Sequence, residues 1–123
     1  ANARSVAELA IGLLLALARH LVLHDREVRS GSWSRHTGIE LAGRRLGVVG
    51  YGAVGRQVAA IARALGMDVV AEGVETEDQL RLLRKLECEN GQGYLFSTPI
   101  GGGELEQFIA NCNVIEAPAA LVA

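Results

Sequence analysis

The sequence predicts an α/β domain: a small parallel sheet of three or four strands, built from βαβ units and preceded by a long N-terminal helix. Three observations predict it. Beyond residue 45, short apolar runs alternate with amphipathic stretches, an order that implies parallel strands joined by helical crossovers. A G-x-G-x-x-G string, Gly50-Tyr51-Gly52-Ala53-Val54-Gly55, stands between one such run and the stretch that follows it. Finally, half of the 123 residues are apolar but only 4% are aromatic, which gives a core of small aliphatic side chains. The 15 glycines and 2 prolines suit α/β turns rather than a disordered chain.

The elements follow in order. Ser5 is a good N-cap, with Glu8 three residues on completing a capping box. Val6, Leu9, Ala10, Leu13, Leu14, Leu17, Leu21 and Val28 then recur at helical spacing, which predicts one helix from about Ser5 to Arg29. Ser30-Gly31-Ser32 ends it, and a loop carrying Trp33 runs to Arg45. Leu46–Val49 reads as a buried strand, Val54–Leu65 as a helix stopped by Gly66, and Asp68–Ala71 as a second strand. Thr76 caps a helix over Glu77–Leu86. Gly93–Phe96 reads as a third strand, Glu104–Asn111 as a last helix after three glycines, and Asn113–Glu116 as a short fourth strand before an apolar tail. With strands in sequence order, the crossover helices share one face of the sheet. The other face needs a cover, supplied either by the N-terminal helix or by a second copy of the chain.

Charge and composition exclude several classes. A net charge of −2 argues against a surface built for nucleic acid. Cys88 and Cys112 lack metal-ligand spacing and read as reduced thiols. The apolar run Leu9–Leu17 is too short to span a membrane, so a cytoplasmic protein, obtained by recombinant expression, is expected. The chain starts abruptly inside a helical pattern, as an excised segment would.

The glycine string has a mechanical reading. Gly50 permits a tight turn, Gly52 lets a pyrophosphate approach the backbone, and Gly55 lets helix and strand pack closely. The amides that open the next helix, at Ala53, Val54 and Gly55, face such an anion together with the positive end of the helix dipole. A complete dinucleotide site also ends its second strand with an acid, about 20 residues after the glycines, that holds a ribose. Here the strand runs into Glu72-Gly73-Val74-Glu75-Thr76.

Residues 1 to about 71 resemble the D-2-hydroxyacid dehydrogenases of the phosphoglycerate type. The resemblance rests on Asn2-Ala3-Arg4-Ser5-Val6-Ala7-Glu8, the Leu-rich helix ending Ala18-Arg19, Gly31-Ser32-Trp33, Gly38 through Gly43, and the glycine string through Gly66-Met67-Asp68-Val69. It implies that the glycine loop binds NAD and that the long helix takes part in dimer formation. It also implies an Asp where Gly73 stands, with Glu72 one position early and on the opposite face. The family's catalytic Arg, Glu and His belong to segments this chain lacks, and Ala119 stands where the tail would carry the His.

Residues 69 to about 109 resemble the last strand–helix units of EAL-type cyclic-di-GMP phosphodiesterases, a TIM-like barrel. The strings are Val69-Val70-Ala71-Glu72-Gly73-Val74-Glu75-Thr76, Leu82-Leu83-Arg84-Lys85-Leu86 and Gly91-Gln92-Gly93-Tyr94-Leu95-Phe96-Ser97. The resemblance places Glu72 in an active site and Gln92 near substrate, whereas the remaining metal ligands and the catalytic Lys are missing.

Elsewhere, His20 and His24 lie four apart on a helix without the Glu of a zinc-protease motif, and read as surface residues. His36 with Trp33 reads as packing. The two resemblances together imply one domain over residues 1–123: a dehydrogenase-like part (1–71), a barrel-derived part (69–111) and a tail (112–123). The expected protein is thus an engineered chimera, a half-Rossmann and barrel-fragment hybrid. It is expected to have no enzymatic activity, no catalytic residue and no metal site. The alternative is weak binding of NAD or a phosphate-bearing ligand by a vestigial site at Gly50, Gly52, Ala53, Val54 and Gly55. A homodimer through the N-terminal helix or the open sheet face is expected, with neither nucleic acid nor membrane as partner.

Overall fold

A computed structural model describes residues 2–111. Five helices and three strands follow the order α1 (Ala3–Ala18), α2 (Leu21–Arg29), β1 (Arg45–Val49), α3 (Ala53–Ala64), β2 (Asp68–Glu72), α4 (Glu77–Lys85), β3 (Asn90–Gln92) and α5 (Gly102–Asn111). The strands form one parallel sheet in the order β1-β2-β3. Val48 pairs with Ala71, and Ala71 with Gly91. This is a Rossmann-like α/β arrangement, and no barrel is present among the described residues.

Alternation along the strands decides which face is covered. Val48, Val69 and Ala71 point to one side and are buried. Ala59 and Ala62 of α3 close over Val48 and Val69, while Leu83 of α4 closes over Ala71 and Val74. Both crossover helices therefore share a face, as sequential parallel strands require. The opposite face carries Gly47, Val49 and Glu72, and Val49 is 85% exposed. The N-terminal helix does not cover it. Instead α1 lies along α3 and contributes Ile11 and Leu14 to the main core.

The N-terminal helical segment is broken, where the apolar spacing predicts a continuous helix. His20 adopts a left-handed φ of 53°, and α1 and α2 meet at a 62° bend. The cause is tertiary. The Ile39 N–H donates to the Ala18 carbonyl at 2.8 Å, taking the acceptor that the next helical turn would use. A Cβ on Gly38 would lie 2.9 Å from that same oxygen, so only glycine lets the returning loop approach this closely. Among the described residues, no single helix is long and apolar enough to cross a membrane.

Two smaller differences have local causes. The helix starts at Ala3 with Asn2 as N-cap, so Ser5 caps nothing; Glu8 instead accepts from Arg4 at 2.8 Å. The third strand is Asn90–Gln92 rather than Gly93–Phe96. A Cβ on Gly93 would collide with the Val74 backbone, and Phe96 N–H donates to the Gly93 carbonyl at 3.0 Å, so the chain turns there. Thr76 does cap α4, accepting from the Gln79 N–H while the Gln79 side chain reaches back, a reciprocal capping box. The expected fourth strand at 113–116, Cys112 and the tail lie outside the described residues.

Candidate nucleotide-binding site

Gly50 ends β1 with a φ of 86°, a left-handed turn that costs glycine nothing. Gly52 is the N-cap of α3, in an extended conformation and with no side chain capping the helix. A Cβ on Gly52 would meet nothing within 4 Å, so the space above this backbone is open. Gly55 is the reverse case: a Cβ there would collide with the Gly50 carbonyl and lie 3.1 Å from Val48 Cγ1. The intrahelical bonds of α3 begin with Arg56 N–H donating to the Gly52 carbonyl at 3.0 Å. The amides of Ala53, Val54 and Gly55 therefore have no partner within the helix, at the end of α3 that begins beside the open space over Gly52, an arrangement suited to a phosphate. The five residues singled out from the sequence are thus brought together as one turn.

Tyr51, between the first two glycines, anchors that turn to the core. Its side chain packs against both apolar clusters, the one around Val69 and Ala59 and the one around Val74 and Leu83. Burial raises its phenol above the usual value, the positive charge of Arg63 works in the opposite direction, and Cys88 adds to the rise. An aromatic residue between the first two glycines was the available signal.

The acid end of the site departs from a complete dinucleotide fold. Glu72 closes β2, but its Oε1 would lie only 3.0 Å from a Cβ placed on Gly47, which puts the carboxylate over the bare sheet face. Gly73, next along, has a φ of 76° and no side chain. Gln92 is the register partner of Glu72 on β3. The structure thus brings Glu72 and Gln92 side by side, on the face away from α3.

The comparisons decide the lineage. The family model described as "D-isomer specific 2-hydroxyacid dehydrogenase, NAD binding domain" matches residues 11–89. The chain belongs to this family. D-3-phosphoglycerate dehydrogenase of Haemophilus influenzae is 34% identical over 116 residues, covering 93% of this chain and 24% of that protein. Hydroxypyruvate reductase of Thermotoga maritima is 45% identical over 73 residues, 58% of this chain and 24% of that protein. Among solved structures, the pyruvate reductase of Chlamydomonas reinhardtii superposes with a TM-score of 0.61 at 32% identity, covering 75% of this chain and 27% of that one. A glycerate dehydrogenase related protein from Thermoplasma acidophilum gives 0.56 at 38% identity, over 64% and 29% of the two chains. The chain spans about a quarter of the length of these curated relatives.

These findings correct the expectation of a chimera. The family match continues through Val69–Gly73 to residue 89, and the Haemophilus relative aligns with nearly the whole chain. A single dehydrogenase-family domain replaces the two spliced halves, and the phosphodiesterase resemblance and the engineered origin fall with them. The expectation of a protein without enzymatic character is overturned by the same membership. NAD is the cofactor associated with this domain family.

Proposed function

We propose that the chain binds NAD at the Gly50–Gly55 turn and is the cofactor-binding part of an enzyme that interconverts a D-2-hydroxy acid and its 2-keto acid. The observation that carries this reading is the pairing of open space above Gly52 with the unpartnered amides that open α3. The residues fit the cofactor's diphosphate: Gly50 sets the turn, Gly52 leaves the approach clear, and Ala53, Val54 and Gly55 offer N–H donors. When bound, NADH supplies the hydride that reduces the keto carbon. With Glu72 turned to the bare face and Gly73 lacking a side chain, the cofactor is held chiefly through its phosphates. Loss of one charge-assisted ribose bond lowers affinity by about 1.5–3 kcal/mol.

Calorimetric titration of NAD and of ADP-ribose into the protein tests this phosphate-centred hold. Both should bind saturably and with similar affinity, since the diphosphate is common to them. No heat from either up to millimolar ligand would contradict the reading.

We also infer a homodimer through the α1–α2 surface. Leu9, Leu13 and Leu17 of α1 are 63%, 57% and 76% exposed, and Val22 of α2 is 69% exposed. So continuous an apolar strip favours a partner. Light scattering coupled to size exclusion should give twice the chain mass, and Leu13→Glu with Leu17→Glu should return it to the monomer. A monomeric wild-type protein at tens of micromolar, on the order used for such measurements, would refute the pairing.

A further inference from the structure

All three histidines of the chain, His20, His24 and His36, gather at the α1–α2 bend. His20 is the left-handed residue at the bend, and His24 lies one turn into α2. His36 arrives from the loop after α2. That loop is tied at one end by Ser32 N–H donating to the Glu27 carbonyl at 2.9 Å, and at the other by Ile39 N–H on the Ala18 carbonyl. The ring centroids of His24 and His36 are 5.3 Å apart, and those of His20 and His36 are 6.4 Å apart. A cavity of about 510 Å³ opens here, lined among others by His24, Glu27, Trp33, Arg35 and His36.

We propose that His20, His24 and His36 bind one divalent cation of the borderline Zn²⁺/Ni²⁺ class, with Glu27 orienting His36. Imidazole nitrogen suits these ions over hard cations. Two imidazoles on one tetrahedral Zn²⁺, with Zn–N bonds of about 2.0–2.1 Å, hold their ring centroids about 5 Å apart, close to the His24–His36 spacing. The environment of His36 is that of a ligand. Its Nε2 lies 2.9 and 3.0 Å from the two oxygens of Glu27. An ionised carboxylate only accepts, so it places the proton on Nε2 and leaves the Nδ1 lone pair for a metal. A carboxylate–histidine–metal relay has this form. Among the described residues no three donors surround one point as the side chains stand. Closure therefore requires side-chain rotation, which the solvent-exposed His20 permits. Arg35 lines the same cavity and opposes a cation, and the Glu27 carboxylate offsets it.

Trp33, the chain's only tryptophan, lines this cavity and supplies the readout. Ni²⁺ titrated into metal-stripped protein should quench its fluorescence saturably at one equivalent, and Zn²⁺ should displace the Ni²⁺. His24→Gln and His36→Gln should each weaken binding by tenfold or more, and Glu27→Gln by about tenfold, as loss of an outer-shell carboxylate does. Circular dichroism should be unchanged in all three. Absence of saturable quenching in the wild type would overturn the proposal. So would a His36→Gln variant that binds as the wild type does, since the His20–His24 pair alone would then explain the metal. Neither result bears on NAD binding.

Discussion

Gly55→Ala should lower the unfolding free energy by about 2–3 kcal/mol, the usual cost of forcing an atom into a packed core. The added Cβ would enter the space of the Gly50 carbonyl and crowd Val48 Cγ1. Neither neighbour can yield cheaply. Gly50 is the left-handed turn residue that launches α3, and Val48 is buried between the sheet and that helix. Relief comes only if α3 lifts away from β1, which loosens Ala59 and Ala62 from Val48 and Val69. A domain this small has a total stability of only about 5–15 kcal/mol, so the shift is large. Urea unfolding checks it: the midpoint should fall with the slope unchanged. An unaltered midpoint would mean that helix and strand are not packed as closely as described.

Gly52→Val should do the opposite, sparing the fold and abolishing nucleotide binding. The Gly52 backbone is extended, with φ −79° and ψ −157°, a conformation that a β-branched residue accepts. No atom lies within 4 Å of the added Cβ. The remaining cost is a poorer N-cap, about 1 kcal/mol or less. The isopropyl group would fill the space proposed for the diphosphate and stand over the amides of Ala53 and Val54. Affinity for NADH should fall about a hundredfold or more, since both the close approach and the amide contacts are lost. The two glycines thus separate folding from binding within a single turn.

Much of this site was legible in the sequence because its glycines answer to backbone geometry. The turn at Gly50, the clearance at Gly52 and the close contact at Gly55 each follow from the absence of a Cβ at a fixed offset from a strand. The capping box at Thr76 and Gln79 was half legible, since Thr76 signals a helix start. The break at His20 was hidden because no proline or glycine marks it. A loop nineteen residues later causes it, through the Ile39–Ala18 hydrogen bond, and periodicity along the helix carries no trace of that contact. The gathering of His36 with His20 and His24 was hidden for the same reason.

The mistaken second lineage has a physical explanation as well. The residues that suggested a barrel fragment each have a local task in this fold. Val69 and Ala71 fill the sheet face under the helices, Gly73 takes a left-handed turn, and Thr76 caps α4. Gly93 passes against the Val74 backbone, where no side chain fits. A strand, a turn, a capped helix and a tight return are demands common to many βαβ units. A short string satisfying all of them is therefore weak testimony to descent. The position of Glu72 is legible from alternation, because a one-residue offset on a strand reverses the face, and its carboxylate lies beside Gly47.

Titration of NADH into the wild-type protein and its Gly52→Val variant, followed by cofactor fluorescence, tests the central claim most directly. Saturable binding by the wild type, lost in a variant that still unfolds cooperatively at nearly the same urea concentration, is the expected result. Equal NADH binding by the two proteins, or none by the wild type up to millimolar cofactor, would contradict a nucleotide site at this turn.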